Sequence, residues 1–242
     1  MRTLNISATS DLHGNLPDPS VFTPGDVLCI AGDIVPLDIQ RDPLRCISWI
    51  CLKFIPWTDK LPYKKVIVIF GNHDFVGEYL GPQQEVNGDG ITSIFMPGSL
   101  KGEHKVVFLC DSGYKYMGFT FYGTSWCPDL HNWAFYGDHN TLVDKFNQIP
   151  DKTDVLITHC PPRVGYAGMV LQKGWNYGND FGCQELTDAI KNKHIGWHFC
   201  GHVHTGSHGI TECEGTKIVN VSLLDENYKV DYPPFSTEIT KD

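Results

Sequence analysis

Residues 66–74 have the sequence VIVIFGNHD, in which five consecutive apolar residues are followed at once by Gly, Asn, His and Asp. A short apolar run rich in β-branched residues is typical of a strand that is buried on both faces, as in a sheet covered by helices. The residues after the run offer an amide oxygen, an imidazole and a carboxylate where the strand ends. The stretch therefore predicts a buried strand with a polar site at its carboxyl end.

The same arrangement recurs at four other places along the chain. Asp11 and His13 follow the predicted strand Leu4–Ala8, Asp33 follows Val27–Ala31, His159 follows Val155–Thr158, and His202 and His204 follow Trp197–Cys200. Ligands of open α/β sheets bind at the carboxyl ends of the strands, so five such ends can direct their side chains to one point. We therefore predict a single polar site that is built from all five loops.

The rest of the chain predicts a layered α/β architecture with a mixed sheet. Helices alternate with the strands, and the clearest one begins with Asp42 as its cap and Pro43 in its first turn. Its predicted apolar face consists of Leu44, Ile47, Ile50, Cys51 and Phe54. Further helices are predicted near 141–147 and 184–193, further strands at 106–110, 119–122 and 235–239, and a hairpin around Glu214-Gly215. No linker or repeat divides the sequence, so we expect one domain over residues 1–242.

Bulk properties narrow the classes of function. The formal net charge is −9 and the basic residues are scattered, so no extended nucleic acid is expected as a partner, whereas a small phosphorylated substrate is compatible. No apolar stretch has the roughly 18 residues of a membrane helix, and residues 1–10 lack the features of a signal peptide. The nine cysteines are scattered, as core thiols of a reducing compartment would be. We expect a cytoplasmic protein with no membrane partner.

The predicted ligands combine carboxylate, imidazole and amide oxygen. This mixture suits Mn, Fe, Zn or Ni better than Ca or Mg, which favour shells made of oxygen alone. The loops contain no cysteine ligand, which argues against a structural zinc site. Each motif alone has an ordinary interpretation, since Gly-Asp or Gly-Asn is also a common turn. The recurrence of the motifs after five strands favours a metal site.

The ordered set D-x-H, G-D, G-N-H-D, an isolated His after a strand and G-H-x-H resembles the signature of the calcineurin-like metallophosphoesterases, and it extends from Asp11 to His204. The sequences YGTSW at 122–126, WAF at 133–135 and THCPP at 158–162 are similar to the metallophosphoesterase-domain-containing group. Some members of that group hydrolyse cyclic nucleotides. The resemblance implies an α/β fold, namely a four-layer α/β/β/α sandwich of two mixed sheets flanked by helices.

The resemblance also implies roles for individual residues. Two divalent transition-metal ions, with Mn favoured over Fe, Zn or Ni, would be held by seven side chains: Asp11, His13 and His204 for the first ion, Asn72, His159 and His202 for the second, and Asp33 as a bridge. A hydroxide shared by both ions would be the nucleophile. His73 would be the catalytic residue that faces the leaving group, oriented by Asp74 or another carboxylate.

The expected function is therefore that of a dinuclear metal-dependent phosphoester hydrolase, most simply a phosphodiesterase on small substrates such as cyclic nucleotides. A phosphomonoesterase and a non-catalytic metal-binding scaffold remain as alternatives. Arg163 has two readings, a substrate-phosphate contact or a surface residue, and segment 126–136 is either core or a wall of the substrate cleft. His208 is a pocket residue or a surface one, residues 174–183 are expected to form a loop over the site, and the oligomeric state stays open.

Overall fold

The computed structural model describes residues 1–81, 92–95, 104–128 and 130–241. The strands are β1 (Arg2–Thr9), β2 (Gly25–Ala31), β3 (Tyr63–Ile69), β4 (Val106–Phe108), β5 (Ser112–Tyr116), β6 (Phe119–Thr124), β7 (Val155–Thr158), β8 (Trp197–Cys200), β9 (Thr211–Cys213), β10 (Thr216–Asn220) and β11 (Phe235–Lys241). The helices are α1 (Pro43–Trp49), a π-helical turn (Ile50–Phe54), α2 (Ile55–Lys60), α3 (Phe75–Leu80), α4 (Thr92–Phe95), α5 (His139–Asn147) and α6 (Gln184–Lys191), preceded by a 3₁₀ turn (Pro19–Val21).

The strands form two mixed sheets. The first has the order β11-β1-β2-β3-β4, in which only β11 runs antiparallel to its neighbour. The second has the order β5-β6-β7-β8-β10-β9, with parallel strands in the middle and an antiparallel strand at each edge. The sequence-based prediction of a mixed α/β fold is confirmed.

The two sheets pack face to face, and helices cover both outer faces. Ile6 and Ile67 of the first sheet share one core with Phe121, Ile157 and Phe199 of the second. A second core lies between the first sheet and the helices α1 to α3, and a third lies between the second sheet and the helices α5 and α6. This arrangement is the predicted α/β/β/α sandwich, and it brings the carboxyl ends of β1, β2, β3, β7 and β8 to a common edge.

The first helix begins as predicted, and its predicted apolar face packs on the core except for Leu44. Asp42 caps it, because its side chain accepts a hydrogen bond from the backbone N–H of Arg45 at 3.1 Å. Leu44 is 73% exposed, however, whereas Cys46 is fully buried. Leu44 and Cys46 are two positions apart, which is about half a turn of an α-helix, so their side chains cannot both face the sheet. The prediction that Leu44 packs on the sheet is wrong.

Several regular elements were absent from the sequence-based prediction, among them strand β5 and helix α3. Strand β5 pairs antiparallel with β6 at the edge of the second sheet, and its sequence SGYKY contains no continuous apolar run. Helix α3 begins directly after the GNHD motif and is too short to show a periodic pattern.

The predicted hairpin is confirmed: Glu214 and Gly215 both have positive φ, as the tight turn between β9 and β10 requires.

Most of the cysteines lie buried in the core, as the sequence analysis expected. Within the described ranges, no helix combines the length and the apolar composition that a membrane span needs.

Candidate metal centre

The five predicted loops meet where the two sheets converge. The loops can come into contact because Gly71 and Gly201 have no side chain, and neither position has space for one. A Cβ atom at Gly71 would overlap the carboxylate of Asp33, and one at Gly201 would overlap Ser10 and the carboxylate of Asp11. These glycines therefore permit loops from different strands to contact each other at the edge of the sandwich.

Four of the seven predicted ligands have left-handed backbone conformations. The φ angles are 56° for Asp11, 43° for His13, 54° for Asp33 and 69° for His202. Residues other than glycine rarely adopt positive φ, and such strained positions concentrate at functional sites. All four residues lie just after β1, β2 or β8, so the unusual backbone conformations occur where the candidate ligands meet.

The first group of predicted ligands is compact and buried. Asp11, His13 and His204 each offer a ligand atom within 4.8 Å of the others. The Nε2 atom of His204 lies 3.6 Å from Oδ1 of Asp11. A hydrogen bond holds the carboxylate of Asp11 in place, because its Oδ2 accepts from Oγ of Ser222 at 2.7 Å.

The second group adjoins the first through Asp33. Oδ2 of Asp33 lies 3.5 Å from Nε2 of His13 and 3.3 Å from Nε2 of His159. Oδ1 of Asn72 lies 2.9 Å from Nε2 of His159 and 3.0 Å from Nδ1 of His202. The structure thus brings all seven side chains together, with Asp33 between the two groups. Their action as metal ligands stays a prediction.

Hydrogen bonds to the backbone define which ring nitrogens face the centre. Nδ1 of His159 donates to the carbonyl oxygen of Ala31 at 2.8 Å, and Nδ1 of His204 donates to that of Asp225 at 2.9 Å. In the neutral form of either ring, the proton is then on Nδ1, and Nε2 presents a lone pair to the centre. Such second contacts are typical of metal-binding histidines.

His13 gives the most direct indication that a cation fits this centre. Among the described residues, neither of its buried ring nitrogens has a hydrogen-bond partner. Burial lowers the pKa of His13 to about 4, although Asp33 and Asp11 oppose the shift, so the ring is neutral at pH 7. An unpartnered buried imidazole is costly unless another group completes it. A divalent cation accepts this lone pair, and the surrounding carboxylates balance its charge.

The electrostatics of the carboxylates also favour positive charge. Burial alone would raise the pKa of Asp33, but His159 and His73 hold it well below its usual value. Burial would likewise lower the pKa of His159, yet attraction to Asp33 and Asp11 raises it to about 9. The fully buried space between these carboxylates therefore strongly favours a positive charge.

His73 lies beside the centre, but its partner differs from the prediction. Nε2 of His73 is 3.9 Å from Oδ2 of Asp33, while Nδ1 contacts Oε1 of Gln40 at 2.5 Å. Of the predicted alternatives, Asp74 or another carboxylate, Asp74 does not contact His73, and the carboxylate beside this residue is that of Asp33. The carboxylate of Asp74 instead accepts hydrogen bonds from the backbone N–H groups of Ile34 and Gly71, which holds two of the loops together. Burial and the nearby Asp33 raise the pKa of Asp74 to about 7.

The aromatic segment 126–136 divides between core and site, and its residue 129 lies outside the described residues. Trp126 packs edge-on against the buried Phe135, so both belong to the core. Trp133 instead contacts His73, with 4.3 Å between the ring centroids. Trp133 therefore borders the site, whereas Trp126 and Phe135 stabilise the fold.

Arg163 and His208 both have protein partners. Nε of Arg163 lies 3.7 Å from Oδ2 of Asp180. The ring of His208 stacks on Tyr232 at 3.7 Å between centroids, and its Nε2 donates to the carbonyl oxygen of His204. His208 therefore stabilises the loop that contains the candidate ligand His204.

Sequence reasoning missed Gln40, Ser222 and Tyr228. The ring of Tyr228 lies 5.0 Å from that of His13 and 5.2 Å from that of His204, and its φ is positive. All three residues lie outside the recognised motifs and follow no predicted metal-site strand. The positive φ of Tyr228 marks it as unusual, but it is visible only in the folded structure.

Comparisons with known proteins agree with this geometry. Residues 4–206 match the calcineurin-like phosphoesterase family. A UPF0046 protein of Caenorhabditis elegans is 31% identical over 246 residues, which cover 94% of this chain and 58% of that protein. Human metallophosphoesterase domain-containing protein 1 is 31% identical, over 95% of this chain and 69% of that protein. This chain thus spans little more than half the length of the nematode relative.

A solved structure shares the architecture. The phosphopantetheinyl hydrolase of Mycobacterium tuberculosis superposes with a TM-score of 0.55 at 13% identity, over 98% of this chain and 96% of that one. At this level of identity the likeness concerns the fold alone.

Proposed function

Since the chain belongs to the calcineurin-like phosphoesterase family, we propose that it is a dinuclear metal-dependent phosphoester hydrolase that prefers small phosphodiesters, with cyclic nucleotides as natural candidates. The observation that carries the proposal is the position of Asp33. Its Oδ2 lies within 3.5 Å of His13 and 3.3 Å of His159, so one carboxylate oxygen faces both groups of candidate ligands. A bridging carboxylate is the feature that two adjacent cations require, because it offsets their mutual repulsion.

Each group of side chains has one task in this proposal. Asp11, His13 and His204 would hold the first ion, Asn72, His159 and His202 the second, and Asp33 both. Two such ions, with Mn proposed ahead of Fe, Zn or Ni, would supply Lewis acidity toward the phosphoryl oxygens and lower the pKa of water.

His73 is the proposed catalytic residue of the protein itself. Its Nδ1–H donates to Gln40, which keeps Nε2 directed toward the centre, 3.9 Å from Oδ2 of Asp33. To protonate the departing oxygen of the substrate from this position, Nε2 would need a second proton on the ring, that is, the imidazolium form. Burial lowers the pKa of His73 and disfavours this form, whereas the nearby Asp33 favours it. Contact with the ring of Trp133 restricts the orientation of the imidazole.

The proposed preference for diesters rests on the resemblance to the group that hydrolyses cyclic nucleotides and not on charge. A diester has one negative charge and a monoester nearly two, so the cationic centre attracts a monoester more strongly, and the monoester product of a diester would have to leave despite this attraction. The net charge of −9 disfavours extended nucleic acid and agrees with a small substrate. The buried cysteines suit the reducing cytoplasm, which is the location we propose.

A panel of aryl phosphate esters tests the proposal. With Mn present, kcat/KM for an aryl phosphodiester should exceed that for the matched monoester, and a chelator should abolish both activities. If the monoester is preferred by more than about tenfold, or roughly 1.4 kcal/mol, the protein is a phosphomonoesterase. A protein that binds metal but hydrolyses no ester would be the non-catalytic scaffold.

A further inference from the structure

A cavity of about 400 Å³ opens next to the candidate metal centre, on the side of His202. It lies between the N-termini of α5 and α6 and is closed on one side by residues 180–183. Its volume is within the range of small-molecule sites. The expectation that the segment 174–183 covers the site is thereby refined, since residues 180–183 border this cavity.

The cavity and His73 lie on different sides of the centre. Of the predicted ligands, only His202 is among the described residues that line the cavity. The ring of His202 neighbours that of His159, whereas the ring of His73 neighbours those of His13 and Trp133. An acyclic diester whose leaving oxygen is directed toward His73 would therefore extend its other ester substituent toward His202.

The lining provides hydrogen-bond donors, acceptors and apolar surface, and each of the three carboxylates described in it has a partner. Asp180 lies 3.7 Å from the cationic Arg163, and Glu185 accepts a hydrogen bond from Nδ1 of His139 at 2.8 Å. Asp138 accepts a hydrogen bond from the first turn of α5, which also offsets its charge. The side chain of Gln184 can donate and accept hydrogen bonds.

The apolar part of the lining includes Leu130, Leu142 and the partly exposed ring of Phe181. An exposed aromatic ring beside polar groups suits a ligand that has both a flat face and hydrogen-bonding edges. Such a mixture matches a neutral polar group with a ring better than a purely aliphatic chain or a strongly charged group.

We propose that this cavity binds the ester substituent that remains on phosphorus, and that it selects a neutral, polar, ring-bearing group. The inference rests on the proposed function, and it specifies which ester substituent the enzyme would accept. It also assigns a new role to Arg163: through its contact with Asp180, this residue positions the wall of the cavity instead of contacting the phosphoryl group. A monoester has no such substituent, so the cavity would contribute only to the binding of diesters.

Three diesters with the same p-nitrophenolate leaving group test the proposal, because their difference in rate cannot arise from that group. The retained substituent is methyl, choline or thymidine attached through its 5′-oxygen. For the wild-type protein with Mn, kcat/KM for the thymidine ester should exceed that for the methyl ester by about tenfold or more. The choline ester should show no comparable advantage.

Filling the cavity should remove this preference. Gln184→Trp places a large ring at the start of α6, and it should lower the thymidine-to-methyl ratio of kcat/KM at least about fivefold. Gln148→Trp is the matched control, since Gln148 is exposed at the end of α5 and does not line the cavity. The ratio should be unchanged in that variant.

The outcomes separate the two proposals. Hydrolysis of the methyl ester with no preference for thymidine would leave the proposed function intact and overturn the role of the cavity. A preference for choline over thymidine would overturn the selection of a neutral group. Failure to hydrolyse any of the three esters would instead overturn the proposed function itself.

Discussion

His159 and His198 are both fully buried, one just after a strand of the second sheet and the other within a strand, and their surroundings differ completely. His159 follows β7 at the edge of the sandwich, where Asp33 and Asp11 raise its pKa to about 9 despite burial. His198 lies within β8, where burial lowers its pKa to about 3. Burial alone therefore does not distinguish a candidate ligand from a core residue. The neighbouring carboxylates, contributed by another sheet, make the difference.

His198 differs from His159 in its surroundings and not in complete pairing of its ring, because its buried Nδ1 has no hydrogen-bond partner among the described residues. The hydroxyl of Thr158 donates to the carbonyl oxygen of Cys160 at 2.6 Å, so its oxygen can accept a hydrogen bond from Nε2–H of His198 at 2.7 Å. The interior of the sheet thus contains a neutral imidazole, whereas the edge is built to hold positive charge.

Removing the proposed bridging carboxylate should prevent the candidate centre from holding two cations. Asp33→Asn keeps the size of the side chain but removes the negative charge that both groups of ligands share. We expect loss of bound metal and a decrease in kcat/KM of about 10⁴-fold, or roughly 5.5 kcal/mol. Elemental analysis and steady-state kinetics with an aryl diester measure the two effects.

Asp26→Asn is the matched control, because Asp26 lies at the opposite end of β2 and pairs with Lys64 at 2.8 Å. This variant should keep its metal and its rate. Full metal content and normal activity in Asp33→Asn would show that Asp33 does not bridge two ions.

The second prediction separates His73 from the ligands beside it. His73→Asn should lower kcat by about 10²- to 10³-fold with little change in metal content, since the residue would act on the leaving group. The loss should be smaller for p-nitrophenyl than for phenyl esters, because a good leaving group needs less protonation. His194→Asn, at an exposed histidine, is the control.

His73 also lies within ligand distance of His13 and Asp33. If His73→Asn binds only half of the metal of the wild type, His73 is a ligand, and its assignment as a proton donor is wrong.

The smallest effect is expected in the core, and it concerns stability. The pKa of His198 is about 3 in the folded protein and near 6.5 in an unfolded chain, so the unfolded chain binds the proton first as the pH falls. This group therefore stabilises the fold fully above pH 6.5, and its contribution decreases by about 1.4 kcal/mol per pH unit below that value.

Unfolding of the wild type and of His198→Gln at pH 7 and pH 5 measures this effect. The difference in unfolding free energy between the two proteins should fall by about 2 kcal/mol from pH 7 to pH 5. If the variant does not fold, NMR titration of the wild type should show that the ring of His198 stays neutral at pH 5. A ring that becomes protonated above pH 5 in the folded protein would contradict the prediction.

Much of the architecture could be predicted because apolar runs encode it locally. The strand Val66–Phe70 and the strands before Asp11, Asp33, His159 and His202 are found close to their predicted places. Elements without such a run were missed, as the edge strand β5 shows. The predicted apolar face of the first helix packs on the core except for Leu44, which lies about half a turn from the buried Cys46 and was placed on that face incorrectly.

The sequence by itself determined the buried strands, the polar residues that follow them and hence the composition of the candidate centre. Tertiary structure alone decided that Gln40 contacts His73, that Asp74 holds the loops through the backbone, and that a cavity adjoins His202. The physical reason is the range of the interactions. Burial and strand formation depend on residues close in sequence, whereas the partner of a polar side chain depends on where distant loops, with their strained φ angles, converge in the fold.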